Sequence, residues 1–231
     1  AKALSTTRAR LREWAACDKL CPHAGRGFKV EATLLNAAVV HIRGSLDDAV
    51  IRGATQALIM EVIQQARALK DRRTAHLSLY IDELRFLVCD TVCKALATVA
   101  GFDAEIITAY QNFGDLLAPA DSRLDGGSVL QAVRVNSQLK LVFGGTDPVT
   151  ADWVAEASGT RRLTVARLER TEINRAGGET SARQRTHSDL EEPMVPMNTV
   201  LALPPRVAVL LRPRALARIV TVAPVPVEAG G

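Results

Sequence analysis

The sequence predicts an α/β fold in which helices cover both faces of a mostly parallel sheet, with a small additional β region late in the chain. Short segments with strand character alternate along the chain with longer segments in which apolar residues recur at helical spacing. This alternation is typical of parallel sheets, because parallel strands are joined by helical crossovers. A chain of 231 residues, of which 48% are hydrophobic, is long enough to bury such a core.

Composition and charge exclude several classes of protein. Lys and Arg number 29 against 25 Asp and Glu, and this net charge of +4 permits contact with nucleic acid without requiring it. Aromatic residues make up only 4% of the chain, so stacking platforms for bases are not expected. No apolar run approaches the roughly 18 residues that span a bilayer, and no signal peptide opens the chain. Because the first residue is Ala1, the chain could be a fragment that lacks an amino-terminal part, including any membrane anchor.

The cysteines indicate a reducing compartment. Cys17, Cys21, Cys89 and Cys93 are few for this length and no secretion signal precedes them, which favours free thiols in the cytosol. Together with His23 they could assemble a zinc site by residue type, but neither pair has the two-residue spacing of zinc ribbons. The favoured interpretation is that Cys89 and Cys93 are small core residues one helical turn apart.

The amino-terminal part begins with a basic segment. Residues 6–16 predict a short amphipathic helix with a solvated basic face. Residues 37–42 then predict a compact strand. Ser45 and Asp48 resemble a capping box at the start of a helix that continues to about residue 70. A long helix that leads into a buried strand is half of a βαβ unit.

Residues 75–83 carry most of the functional interpretation. Leu77, Leu79 and Ile81 alternate with smaller or amphipathic residues, so they predict a buried strand, and this strand ends at the adjacent acids Asp82 and Glu83. In nucleotide-hydrolysing P-loop folds, such a Walker B strand places the first acid at Mg²⁺ and the second beside the attacking water. The alternative is a strand followed by an N-capping Asp and a first-turn Glu, which any α/β protein can show.

Strand and helix signals continue in alternation after the two acids. The strand over residues 105–111 ends in the polar Gln111, which either contributes to a site beside Asp82 and Glu83 or simply ends the strand. The other segments predicted in this region are a helix over residues 88–100, a short helix from Asp115, a helix ending near residue 135, a strand over residues 139–143 and a helix over residues 147–158.

The sequence changes in character after residue 160. Residues 161–185 are rich in arginine and contain alternating apolar residues, which predicts a strand or hairpin. Such a charge pattern is usually a solvated face. The alternative is a basic rim that binds DNA phosphates, with Arg161, Arg162, Arg167 and Arg170 as the candidate residues.

Three parts are expected along the chain. The first is a basic amino-terminal segment over residues 1–36, and the second is a core over residues 37–185 that contains both acids. The third, residues 186–231, comprises a flexible connection over residues 186–198, a final strand over residues 207–211 and a flexible tail.

Taken together, these segments resemble the carboxyl-terminal half of the motor domain of conjugative type IV coupling proteins of the TraG/TraD-like group. The resemblance covers roughly residues 35–205. It rests on the strand ending in Asp82-Glu83, the strand ending in Gln111, and the helix between Thr150 and Gly159. Further matching stretches are Val40-His-Ile-Arg43-Gly44-Ser45, Gln111-Asn112-Phe113-Gly114-Asp115-Leu116 and Glu172-Ile-Asn174.

The resemblance implies a RecA-like three-layer fold that is only partly present. It also implies a membrane-anchored hexameric ATPase that delivers DNA and protein from a relaxosome to a type IV secretion channel. Asp82 would then hold Mg²⁺ through water and help to bind ATP. Glu83 would activate the attacking water, and Gln111 would sense the γ-phosphate and pass its state to the following loop.

Two departures from the family pattern limit what the resemblance implies. No Gly-x-x-x-x-Gly-Lys-Ser/Thr occurs in the chain, so ATPase and DNA-translocase activity is expected only if the chain is joined to an upstream Walker A lobe. Residues 99–102 lack the arginine that relatives often place there, so no trans-acting arginine finger is expected at that position.

The expected partners follow from the same resemblance. They are DNA, relaxosome proteins, secretion-channel components and other copies of the chain in a hexamer. The expected location is the cytoplasmic face of a bacterial inner membrane, with membrane contact only through an absent segment. One alternative is a non-catalytic module in which the same fold docks relaxosome or secretion-system partners. Another is a different RecA-like translocase or helicase.

Overall fold

A computed structural model describes residues 2–17, 28–145, 147–168 and 185–225. The chain divides into two compact units, Ala1–Ser137 and Gln138–Gly231. Within the described ranges, no helix is long and apolar enough to cross a membrane. The three-part organisation with boundaries near residues 36 and 185 stays a prediction.

The first unit consists of helices around a two-stranded parallel sheet. Its strands are β1 (Leu77–Ile81) and β2 (Ala104–Thr108). Its helices are α1 (Lys2–Ala15), α2 (Val30–Leu35), α3 (Ala49–Ala68), α4 (Leu84–Leu87), α5 (Asp90–Thr98), α6 (Phe113–Leu117) and α7 (Gly126–Asn136), and a 3-10 turn spans Val99–Phe102.

Helix α3 leads into β1 as predicted, and its start is defined by side-chain caps. Asp48 is the N-cap, because its Oδ1 accepts hydrogen bonds from the amides of Val50 and Ile51 at 2.9 and 3.2 Å. Ser45 Oγ accepts a hydrogen bond from the Asp48 amide at 3.1 Å, as in a capping box, but the helix itself begins only after Asp48. The predicted helix is therefore present, with its cap three residues later than expected.

The parallel pair has one buried and one open face. Leu77, Leu79 and Ile81 pack with apolar residues of α3, α5 and α7 in the core of the first unit, which confirms the predicted alternation. On the opposite face, Tyr80 is 72% exposed and Ile107 is 41% exposed. Among the described residues, helices thus cover this sheet on one face, whereas the sequence predicted cover on both.

Residues 37–42 were expected to form a strand, and this expectation is wrong for the structure. They belong to no helix or strand, and Val39 is fully exposed. Val40 and Ile42 are 41% and 45% exposed. The physical reason is that a strand requires a hydrogen-bonding neighbour, and no described segment pairs with these residues.

The second unit contains antiparallel sheets. The strands β3 (Lys140–Phe143), β6 (Val207–Leu211) and β7 (Arg218–Thr221) form one sheet in the order β3-β6-β7. A hairpin joins β4 (Thr160–Leu168) to β5 (Arg185–Pro193). The helices α8 (Pro148–Ala157) and α9 (Met197–Leu201) complete the unit.

Strand β3 is present where it was predicted, but its partner differs from the expected one. It pairs antiparallel with β6 instead of extending a parallel sheet. Strand β6 is central because it pairs with β3 on one side and with β7 on the other, and its Ala208 and Val209 are fully buried. Parallel pairing among the described strands is therefore confined to β1 and β2. Likewise, residues 185–193 form β5, where a flexible connection was expected from residue 186.

Candidate functional site

The two predicted acids lie at the carboxyl end of β1. Asp82 is exposed, and its Oδ1 accepts a hydrogen bond from the Glu83 amide at 2.9 Å. Glu83 precedes α4 in the left-handed region, with φ 51° and ψ 53°, and its side chain makes no capping hydrogen bond. A non-glycine residue in this conformation costs about 1–2 kcal/mol, and such strain is concentrated at functional sites. The arrangement differs from the alternative of a capping Asp followed by a first-turn Glu.

Gln111 lies beside Glu83 because β1 and β2 are parallel neighbours. Ile81 is paired with Thr108, and the Ala109 amide continues the ladder by donating to the Ile81 carbonyl at 2.9 Å. Two residues beyond Ala109, the Gln111 Nε2 lies 3.4 Å from the Glu83 Oε1. This is a long and therefore weak hydrogen bond. The structure thus places the three predicted residues of the nucleotide site at one edge of the sheet.

Asn112 and Asp115 hold the start of α6, and the sequence analysis gave them no role. Asn112 is the N-cap, and its Oδ1 accepts from the Asp115 amide at 3.0 Å. The Oδ2 of Asp115 in turn accepts a hydrogen bond from the Gln111 backbone amide at 3.2 Å. The signal that could have found this pair is its spacing, since a capping residue followed three positions later by an acid is typical of a helix start.

Arg85 is a further residue of the site that the sequence analysis missed. Its Nη1 lies 3.5 Å from Asp115 Oδ1, and its Nε donates to the Ala118 carbonyl at 3.1 Å. The Asp115 side chain is only 16% exposed, whereas that of Arg85 is 43% exposed. The backbone carbonyl of Arg85 also accepts a hydrogen bond from the Ala120 amide at 3.0 Å. Arg85 therefore connects the residues after β1 to those after α6.

The described side chains at this edge are too few to hold a metal ion by themselves. Across the described parts of the chain, no group of three or more His, Cys, Asp or Glu side chains is arranged to hold a metal ion. Protein-bound Mg²⁺ commonly keeps several waters and is held by one or two carboxylates together with substrate phosphates. An exposed Asp82 fits that kind of site, in which the nucleotide supplies the remaining ligands.

Cys89 and Cys93 are residues of the core of the first unit. Cys89 is 8% exposed, and Cys93 packs against the same cluster one turn later. Burial raises the pKa of both thiols. The interpretation of this pair as small core residues is confirmed. Cys21 and His23 lie outside the described residues.

Three of the four candidate DNA-binding arginines, Arg161, Arg162 and Arg167, lie on β4 of the second unit. Arg161 Nη2 is 3.0 Å from Glu192 Oε2, and Arg162 Nε is 3.7 Å from Glu191 Oε1, in the cross-strand register of β4 and β5. These partners reduce the positive charge available to phosphates. The side chain of Arg167 and the whole of Arg170 lie outside the described part, so the role of the four arginines stays a prediction.

Paired acids and a glutamine lie at the carboxyl edge of a parallel strand pair, and this arrangement defines the class as an α/β protein with polar residues where ligands of open sheets bind. No curated protein matches the sequence. The family model described as the TraM recognition site of TraD and TraG matches residues 76–205. The chain belongs to this family. The predicted resemblance to the carboxyl-terminal part of a conjugative coupling protein is thereby confirmed.

Several solved structures share the fold. One is the bacterial conjugative coupling protein TrwBdeltaN70 in its unbound monoclinic form, with 18% identity and a TM-score of 0.60 over 75% of this chain and 38% of that chain. Another is the plasmid coupling protein TrwB in complex with ADP and Mg²⁺, with 18% identity and a TM-score of 0.53 over 76% and 41%. The complex of TrwB with the GTP analogue GDPNP has 17% identity and the same TM-score and coverage. The chain spans about two fifths of these relatives, and the fold is a partial RecA-like one.

Proposed function

We propose that the chain is part of the ATP-driven motor of a conjugative DNA-transfer coupling protein that links relaxosome DNA to a type IV secretion channel. The observation that carries this proposal is the 3.4 Å contact between Gln111 and Glu83 at the carboxyl edge of β1 and β2. Ligands of open α/β sheets bind at this edge. The solved TrwB complexes with ADP and Mg²⁺ and with GDPNP support a nucleotide as the ligand.

The residues divide the chemistry between them. Asp82 holds Mg²⁺ through water, and the ion neutralises charge on the phosphates of ATP. Glu83 orients the attacking water and accepts its proton. Because Gln111 contacts Oε1, the second carboxylate oxygen of Glu83 remains for that water. The Gln111 amide can donate its hydrogen bond either to Glu83 or to the γ-phosphate, so its position depends on whether the phosphate is present.

The proposed site requires a phosphate-binding loop from elsewhere in the protein. The chain contains no Gly-x-x-x-x-Gly-Lys-Ser/Thr sequence, and Asp82 with Glu83 supplies only the acidic side of a nucleotide site. In this proposal the complete protein acts as a hexamer at the cytoplasmic face of the inner membrane. It contacts DNA, relaxosome proteins and channel components there, and its membrane segment lies outside this chain.

The test is substitution of Glu83 by Gln in a longer protein that contains this chain and a phosphate-binding loop. Glu83→Gln keeps the size of the side chain and the position of Asp82 but removes the base. We expect unchanged nucleotide binding and a kcat lowered by at least about 100-fold. Glu61→Gln, at an exposed position of α3, is the matched control and should leave kcat unchanged. Near-normal hydrolysis by Glu83→Gln would remove Glu83 from the mechanism.

A non-catalytic recognition module is the second candidate. The family description, which names a TraM recognition site, is the observation that favours it. In that case the fold docks TraM and the acids have a structural role. A measurement of DNA transfer between cells, made together with one of TraM binding, distinguishes the two functions. Loss of transfer in Glu83→Gln with TraM binding retained supports the motor, whereas normal transfer with TraM binding supports the module.

A further inference from the structure

The proposed catalytic pair has a second cross-link beside it. Glu83 and Arg85 flank Leu84, which is fully buried and donates its amide to the Ala109 carbonyl at 2.9 Å. Glu83 contacts Gln111, and Arg85 contacts Asp115. The residues after β1 and those after β2 are therefore joined at two points, and Leu84 fixes the spacing between them.

The second cross-link is an ion pair of 3.5 Å, whereas the first joins a carboxylate to a neutral amide. Asp115 carries a carboxylate whose side chain is 16% exposed, and it accepts from both the Arg85 guanidinium and the Gln111 backbone amide. A largely buried carboxylate needs a compensating cation, so the place of Asp115 depends on Arg85. The Gln111–Glu83 contact is long at 3.4 Å, whereas the Gln111 backbone amide donates to Asp115 at 3.2 Å, so Asp115 constrains Gln111 more closely than Glu83 does.

We propose that Arg85 and Asp115 are positioning residues that hold the Gln111 backbone, and through it the Gln111 side chain, opposite Glu83. This inference rests on the proposed function. Arg85 also bonds Ala118 and Ala120, so displacement of Gln111 by a ligand is transmitted to the segment between α6 and α7. The pair thereby couples the state of the site to that segment.

The first test uses the chain without nucleotide, so that its outcome does not depend on ATPase activity. Exchange of the Gln111 backbone amide with solvent is measured by NMR in Arg85→Gln, in Arg85→Lys and in Asp115→Asn. We expect exchange to become about tenfold faster in Arg85→Gln, the change expected for loss of one net hydrogen bond. Arg85→Lys restores the charge opposite Asp115 and should recover part of the protection.

The matched control for this test is Arg72→Gln. It removes an ion pair of 3.3 Å with Glu31 whose side chains are 62% and 54% exposed. Exchange of the Gln111 amide should be unchanged in the control. If exchange is also unchanged in Arg85→Gln and Asp115→Asn, the pair does not hold Gln111 and the inference is overturned.

The second test uses the longer protein with a phosphate-binding loop. Arg85→Gln should lower kcat by about tenfold with little change in KM, because it misplaces groups that act in the transition state. Arg85→Lys should recover most of kcat. Faster exchange without any loss of kcat would overturn the positioning role. If the unsubstituted protein does not hydrolyse ATP, the proposed function fails, and the exchange measurement still decides whether the pair holds Gln111.

Discussion

Gly126, the first residue of α7, packs against the backbone of Leu117 at the end of α6, and a Cβ at position 126 would lie 2.7 Å from the Leu117 Cα. It would also overlap the Leu117 carbonyl oxygen. Backbone atoms cannot move aside as a flexible side chain can. Only glycine therefore allows α6 and α7 to approach this closely, and α6 begins two residues after Gln111.

Gly126→Ala should destabilise the chain by about 2–3 kcal/mol, since an added methyl group in a packed contact forces the backbone apart. The matched control is Gly127→Ala, whose Cβ would have ordinary contact at 3.4 Å with the Asp125 carboxylate. The control should be neutral or stabilising by up to about 1 kcal/mol, because alanine is the better helix former. Urea denaturation measures both values. Equal stability of the two variants would contradict the close approach.

Glu83 provides a second test of stability, because its backbone is left-handed. Glu83→Gly should leave the free energy of unfolding unchanged or raise it by up to about 1 kcal/mol, since glycine adopts this conformation freely. Glu83→Val should lower it by more than about 1 kcal/mol, since a β-branched residue is strained there. A valine variant as stable as the glycine variant would show that Glu83 is not left-handed in solution.

The chain alone should bind ATP weakly, because it lacks the loop that holds the phosphates. Isothermal titration calorimetry with Mg-ATP should give no affinity tighter than about 1 μM, or about −8 kcal/mol. Addition of the phosphate-binding lobe should restore tight binding. Submicromolar binding by the bare chain would mean that its nucleotide contacts lie elsewhere.

The hairpin glutamates should limit DNA binding by Arg161 and Arg162. Substitution of Glu191 and Glu192 by Gln releases both arginines from their cross-strand partners. We expect tighter DNA binding with a salt dependence steeper by about one counterion for each released arginine. Stability should change by less than about 1 kcal/mol, because exposed ion pairs contribute little. A salt series of binding titrations checks this, and an unchanged slope would exclude the hairpin as a DNA contact.

Assembly should depend on parts outside the chain. Nucleotide sites of ring motors lie between subunits, so ligand and neighbouring lobes stabilise the ring. The chain alone should be monomeric or weakly associated in light scattering. A version with the phosphate-binding lobe should form higher oligomers with Mg-ATP or DNA. A stable hexamer of the bare chain would contradict this expectation.

The sequence predicted the parts of the site that depend on local pattern. The alternation of Leu77, Leu79 and Ile81 is a property of consecutive residues, and the carboxyl ends of parallel neighbours meet at one edge. These two facts are sufficient to bring Asp82, Glu83 and Gln111 together. No distance between them could be predicted, because side-chain conformation depends on packing around them.

The missed features depend on pairing that no local pattern specifies. The link between Arg85 and Asp115 depends on how two short helices, α4 and α6, are placed after their strands. The predicted pairing of β3 was wrong, because strand propensity does not determine which strand is adjacent. Residues 37–42 have β-branched character, yet they remain unpaired among the described residues. Propensity therefore predicted where strands can form, and tertiary context determined which of them pair.

The left-handed backbone at position 83 affects which residues this position should accept in related proteins. With φ 51°, the backbone at position 83 favours Gly or Asn over Glu. Where a lineage no longer needs turnover, random substitution should carry position 83 towards Gly or Asn, with the fold and its docking surfaces intact. Lineages that still hydrolyse nucleotide should keep Glu despite its strain. The residue at this position would then distinguish working motors from descendants that only bind their partners.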